Sequence, residues 1–226
     1  MRRARGASFP RSGHGPLYHA LRNYFADELV YCDPDNRKPN AEMCGCRCVP
    51  CVNPRNTFSK NHDFGLDPFA EGVHAPRPVD PEERYVVQYR SPMRSIVSNY
   101  HLHLRNQPQD ATRFGWTRFA HRQIAYWKAF VDKWALPHLE DERFLCLSYE
   151  RLLARPQETL TEAIGFVSER APDEARIAEY VRNARIEPRD NSASFEYHDD
   201  ELFERLEAAT GERMEKLGLP SFREGV

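Results

Sequence analysis

With 226 residues, 40% of them hydrophobic, the chain is long enough to bury one substantial core, and a single domain over residues 1–226 is expected. Lys and Arg number 32 against 34 Asp and Glu, a formal net charge of -2, which argues against a protein that coats nucleic acid and for a small-molecule partner. No run approaches the roughly 18 apolar residues of a membrane span and the start lacks the apolar stretch of a secretory signal, so a cytoplasmic protein without a transmembrane segment is expected.

Residues 5–9 read as the first strand, followed by the basic turn Pro10-Arg11-Ser12-Gly13-His14-Gly15 and a helix over about 16–30 with Leu17, Leu21, Tyr24, Phe25 and Leu29 on one face. The backbone N–H groups of such a turn, the Arg11 cation and the positive end of the helix together form a cradle for a terminal phosphate or sulfate. From Asp33 to Pro54 the periodicity gives way to Pro, Asn and Cys. Asn56–Lys60 then reads as a short second strand, and a Gly/Pro-rich loop to about Glu83 is long enough to be a functional one. Tyr85–Tyr89 is the clearest strand, with Pro92 suited to the first turn of a helix running to about Leu104.

A long helical region follows over about 110–136, whose aromatics, Phe114, Phe119, Trp127, Phe130 and Trp134, either fill the core or line an apolar pocket. Phe144–Leu147 supplies another strand, with Cys146 as a core thiol, and Tyr149 starts a short helix. A helical C-terminal part extends from about 156, with helices at 156–168, 173–183 and 200–217, the last ending at Gly218 as a C-cap. The alternation predicts an α/β fold: a mostly parallel central sheet flanked by helices, with ligands beyond the C-terminal ends of the strands.

Arg90 at a strand end and Ser98 two turns into the next helix can converge on one phosphate, with Arg94 on the same helical face. Two anion sites, one at each strand end, suit a nucleotide charged at both ends. His62, directly after a candidate strand, carries an imidazole that titrates near neutrality and so suits a general base; the alternative is a surface-loop histidine. Asp63 is a poor orienter for it, because adjacent strand side chains point to opposite faces. The Cys-rich loop at 32–54 carries Cys32, Cys44, Cys46, Cys48 and Cys51. Zinc on Cys44, Cys46, Cys48 and Cys51, one or two disulfides, and reduced thiols are all compatible with this spacing, which is tighter than the Cys-x(2–4)-Cys of ordinary structural zinc sites. Crosslinked, the cluster would staple the loop that precedes His62.

Ser8-Phe9-Pro10-Arg11-Ser12-Gly13-His14 resembles the 5'-phosphosulfate loop of the sulfotransferases that use 3'-phosphoadenosine 5'-phosphosulfate (PAPS), built around Pro-Lys-Ser-Gly with Arg replacing Lys in some members. Tyr89-Arg90-Ser91-Pro92-Met93-Arg94-Ser95-Ile96-Val97-Ser98-Asn99-Tyr100 resembles the same family's 3'-phosphate segment. Lys60-Asn61-His62-Asp63 resembles the region of its catalytic histidine, and Ser148-Tyr149-Glu150-Arg151-Leu152 its late strand-to-helix junction. The four occur in the family's order.

The resemblance implies a P-loop NTPase-like sulfotransferase architecture. It also implies transfer of a sulfuryl group from PAPS to the hydroxyl of a small molecule, lipid or sugar by in-line displacement, leaving 3'-phosphoadenosine 5'-phosphate (PAP), with no metal in the reaction. His62 would then be the base, Arg11 would stabilise the transferring group, and Lys60 would be a reserve cation. Arg11, Ser12, Gly13, His14, Gly15, Arg90 and Ser98 would contact the donor, with His14 assigned to the phosphosulfate and not to the base. Gly15-Pro16 stands where the family often has a hydroxyl residue. The nearest substitute for its C-terminal Arg-Lys-Gly segment is Arg185, Arg189 and Asp190-Asn191-Ser192, which makes Arg189 a further donor contact. Two other readings stand beside this one. A P-loop kinase using ATP would need the Gly-Lys-Ser/Thr of a Walker A motif, which Pro10–His14 lacks, and a silent member would keep the fold as a binding module.

Overall fold

A computed structural model of the chain describes residues 1–34, 44, 46, 48, 51–68, 75–184, 186, 195–197 and 199–221. Among the described residues five short strands, β1 (Ala4–Ser8), β2 (Tyr31–Cys32), β3 (Phe58–Asn61), β4 (Tyr85–Tyr89) and β5 (Phe144–Ser148), pair in the order β2-β3-β1-β4-β5. Every pairing is parallel, and the register sets Gly6 beside both Lys60 and Val86. Parallel neighbours require crossovers and are buried on both faces; among the described residues one α-helix lies between β1 and β2, two lie between β4 and β5, and five follow β5. These are α1 (His14–Phe25), α2 (Pro92–Leu104), α3 (Arg113–Trp134), α4 (Tyr149–Ala154), α5 (Pro156–Val167), α6 (Glu174–Ala184), α7 (Asp200–Ala208) and α8 (Gly211–Lys216). From β1 the chain moves first to one side of the sheet and then to the other, so the topological switch point, where such sheets bind ligands, lies at the end of β1.

The two faces follow the period-2 alternation of the strands. Ala4, Val86, Leu145 and Leu147 pack beneath Leu17 and Leu21 of α1, Leu160 and Ile164 of α5 and Ile177 of α6. Ala7, Tyr85, Val87 and Phe144 face the other way, against Tyr126, Trp127, Phe130 and Trp134 of α3 and Met214 of α8. A third cluster joins α2, α3 and α7 around Tyr100, Trp116 and Phe203. Of the aromatics expected to serve either core or pocket, Trp127, Phe130 and Trp134 are core, Phe119 is partly buried and Phe114 is exposed.

Several boundaries differ from those the sequence suggests. α1 starts at His14 and not at 16, because the left-handed Gly13 (φ 86°) completes the turn. It ends at Phe25, where Ala26 takes φ 46° and the chain continues into the two-residue strand β2, too short to leave a periodic signal. β3 begins at Phe58 and not at 56; Asn56 instead uses its side-chain amide to bridge the carbonyls of Val30 and Phe58. The helix read over 110–136 starts at Arg113, where Thr112 Oγ1 accepts from Gly115 N at 2.9 Å. The final helix is two, separated at 209–210, where Thr210 Oγ1 donates to the Leu206 carbonyl; Gly218, at φ 61°, follows the second. Cys146 is half-buried, and burial pushes its thiol up to about 12.

Gly13 is locked twice. Besides its positive φ, a Cβ there would lie 2.5 Å from Cδ2 of Tyr149. The left-handed conformation alone costs an L-residue roughly 1–2 kcal/mol. Gly13→Ala is expected to lower stability in urea unfolding by at least about that amount, and wild-type stability would show that the turn is not held against Tyr149.

Candidate active site

The turn after β1 is anchored before it bends. Phe9 N donates to the Gln88 carbonyl at 3.0 Å, and the Phe9 ring sits 4.9 Å from that of Tyr126. Arg11 (φ 67°) and Gly13 then reverse the chain, so that α1 opens with no side-chain cap and no acidic residue in its first turn. The first N–H groups of a helix and its positive end are thereby left to an anion. Ser12 Oγ is buried, with no hydrogen-bond partner among the described residues, an unusual state for a buried hydroxyl. Gly15 lies exposed in the first turn of α1. The Arg11 side chain reaches across to α2, its Nε donating to Ser98 Oγ at 3.0 Å.

The second segment leaves β4 beside it. Arg90 and Arg94 are buried, at 7% and 3% exposure. The Arg90 guanidinium lies 4.6 Å from the centroid of the Tyr149 ring, and its carbonyl accepts from Trp127 Nε1 at 3.0 Å. Glu150 Oε1 accepts from Ser91 N at 3.0 Å; burial pushes this carboxyl up, against the pull of the Ser91 hydrogen bond and of the Arg90 and Arg94 charges. The Arg90 and Arg94 charges thus both act on the Glu150 carboxyl. The Arg11–Ser98 bond joins what the sequence presents as two anion sites into one continuous basic rim at adjacent strand ends.

His62 follows β3, the neighbour on the other side of β1. Asn61 pairs with Ala7, which sets His62 beside Ser8. Its Nδ1 lies 2.5 Å from the Ser8 carbonyl oxygen and 3.3 Å from Ser8 Oγ. A carbonyl only accepts, so the proton sits on Nδ1 and the lone pair on Nε2, the tautomer a base requires. Burial, together with the charges of Lys60 and His14, holds this imidazole well below 6.5 despite the Ser8 bond. The His62 carbonyl accepts from the Tyr126 hydroxyl. Asp63 turns away in a left-handed conformation, and its buried carboxylate accepts from Arg77 N (2.8 Å), Lys133 Nζ (2.6 Å) and Trp134 Nε1 (2.9 Å). Lys60 Nζ is paired with Asp33 at 3.2 Å.

His14 is committed within the fold. Its Nδ1 is 3.1 Å from Gln88 Oε1 and its Nε2 2.7 Å from the Tyr31 hydroxyl. Because Gln88 Oε1 only accepts, Nδ1 donates to it and Nε2 accepts from Tyr31. The ring stacks on Phe58, and burial first, then the Lys60 charge, lowers its pKa to about 3. An anion contact from His14 would therefore come from its main-chain N–H and not from the imidazole. Arg189, with Arg185 and Asp190-Asn191-Ser192, lies outside the described residues. The sequence reading missed Gln88, Tyr31, Glu150 and Tyr126. Gln88 carried a signal, an amide inside the otherwise apolar and aromatic strand Tyr85–Tyr89, where burial demands a partner.

The cysteine set expected from the loop alone needs correcting. Cys32, Cys44, Cys46 and Cys51 bring their sulfurs within 4.8 Å of one another, and Cys48 is not among them. The chain wraps the Cys46 sulfur, with Cys48 N donating to it at 3.5 Å, and this turns the Cys48 thiol to the Cys46 carbonyl at 3.1 Å. β2 supplies the fourth sulfur. None of the six cysteines forms a disulfide.

The depressed histidines make stability pH-dependent. An unfolded His14 takes up a proton below 6.5, whereas the folded one resists until about 3, so lowering pH through that window favours unfolding. The melting temperature is expected to fall as pH drops below 6.5, and His14→Gln to flatten the decline; an unchanged slope would place the His14 ring in solvent.

No curated protein sequence matches the chain significantly. Its fold is similar to that of the mouse sulfotransferase SULT7A1 complexed with PAP, with a TM-score of 0.66 over 94% of this chain and 84% of that one at 15% identity. It is also similar to the sulfotransferase STF9 from Mycobacterium avium, with a TM-score of 0.50 over 74% of this chain and 43% of that one at 16% identity. The family model of the sulfotransferase domain matches residues 73–216, from ahead of β4 through α8 and including Arg90, Ser98 and Glu150. With well over half of its length matched, the chain belongs to the sulfotransferase domain family.

Proposed function

We propose that this chain is a PAPS-dependent sulfotransferase acting on the hydroxyl of a small molecule, lipid or sugar, with residues 1–226 as one catalytic domain in the cytoplasm. The observation that carries the reading is the Arg11–Ser98 hydrogen bond, which joins the uncapped start of α1 to the Arg90–Ser98 segment at the next strand end. PAPS, when bound, supplies an activated sulfuryl group and leaves as PAP. Arg11, Ser12, Gly13 and Gly15, with the His14 N–H, suit its phosphosulfate end, and the orphaned Ser12 hydroxyl supports that fit. Arg90 and Ser98 suit the 3'-phosphate, and Arg189 joins them on sequence grounds alone.

His62 takes the acceptor proton at Nε2. The Ser8 carbonyl holds its tautomer, and burial keeps it neutral at physiological pH. Arg11 offsets the negative charge on the bridging oxygen in an in-line displacement, a reaction in which positioning and fixed charge do most of the catalysis. Lys60, paired with Asp33, adds a second positive charge close to both histidines.

Calorimetric titration with PAP beside magnesium ATP tests the donor. Charged hydrogen bonds are worth about 1.5–3 kcal/mol, so Arg90→Ala is expected to weaken PAP binding about 10- to 100-fold. ATP-selective binding would favour a kinase, and no binding to either a silent module. With an acceptor in hand, His62→Ala is expected to lower kcat by roughly 10²–10⁴ while PAP affinity stays near wild type. Because His62 titrates below 6.5, wild-type kcat/KM should stay level as pH falls through that value; a loss centred there would remove His62 from the base role.

A further inference from the structure

The described part of the loop between β2 and β3 has almost no hydrophobic core of its own. Among its described residues from 44 to 56, only Cys51 and Asn56 are buried, and Val52 is exposed. Something other than apolar burial holds these described residues together, and small segments of this kind are held by crosslinks or metals. The four sulfurs have the required arrangement. Cys46 Sγ lies 3.7 Å from Cys32 and 3.5 Å from Cys51, and Cys51 lies 3.6 Å from Cys44. Tetrahedral zinc with Zn–S of about 2.3 Å sets its sulfurs about 3.8 Å apart. Cys46 and Cys51 each approach two other sulfurs, a mutual cluster and not the two separate pairs that disulfides would make.

We propose that Cys32, Cys44, Cys46 and Cys51 form a structural zinc site at the edge of the sheet, with Cys48 outside it. Four thiolates fill a tetrahedron, leaving no position for a water or substrate, which separates this site from catalytic zinc. All-sulfur coordination selects soft metals over magnesium or calcium. The Cys48 N–H donating to the Cys46 sulfur is the outer-shell hydrogen bond such a ligand needs. The ligands come from two segments, β2 and the returning loop, so the ion ties the loop to the sheet. It thereby fixes the end of β2, where Tyr31 holds His14 and Asp33 holds Lys60.

The test is elemental analysis of the full chain, produced in zinc-containing medium and purified without chelator. One zinc per chain is expected in the wild type and in Cys48→Ser, and none in Cys32→Ser. Should Cys32→Ser not fold, cobalt(II) titration of chelator-stripped wild type and Cys48→Ser decides. The visible bands of tetrahedral sulfur coordination, abolished by added zinc, support the site, and their absence overturns it. Iron in place of zinc, disulfides in the unreduced mass spectrum, or zinc lost in Cys48→Ser and kept in Cys32→Ser also overturn the assignment. Metal content does not depend on sulfuryl transfer, so this result stands or falls apart from the activity.

Discussion

The central strand β1 is hydrogen-bonded on both sides, to β3 and to β4, with both ladders parallel. Parallel pairing aligns the C-terminal ends of the three strands, and each end carries part of the candidate site: the basic turn after β1, His62 after β3 and Arg90 after β4. Residues more than eighty positions apart, such as Arg11 and Ser98, meet because this register leaves them no other place. The side-chain bonds at the rim then refine what the backbone has already brought together.

Charge is arranged around that rim more decisively than across the protein. The body is near neutral, yet Arg90 and Arg94 are buried and their charges act on the Glu150 carboxyl. Burying cations costs several kcal/mol per ion, so compensating negative charge matters more at these two groups than at the exposed arginines. Asp63 shows the opposite case: its charge is satisfied by Lys133, Arg77 N and Trp134 Nε1, and it braces the backbone next to His62 without touching the imidazole.

The strongly apolar strands, the proline-started helix after Arg90 and the glycine turn were legible in the sequence because each has a local cause. β2 was not, since two residues leave no period, nor was the break at Thr210, which rests on a single hydroxyl bond to the preceding turn. Of the candidate site, the positions of Arg11, Arg90, Ser98 and His62 could be anticipated from strand ends. The commitment of His14 to Gln88 and Tyr31 could not, because it depends on strands brought together only by the sheet. The fourth cysteine was hidden for the same reason: Cys32 joins its partners through the edge strand and not through the spacing of the loop.

The Tyr31–His14–Gln88 chain has a mechanical meaning of its own. In the sheet order β2-β3-β1-β4, Tyr31 and Gln88 stand on strands separated by two others, and their main chains never meet. The imidazole spans that gap as a tie-rod, gripping an edge strand at one nitrogen and an inner strand at the other. Displacement of the edge strand is therefore felt directly at Gln88 of β4, two residues before Arg90, without first shearing the two backbone ladders between them.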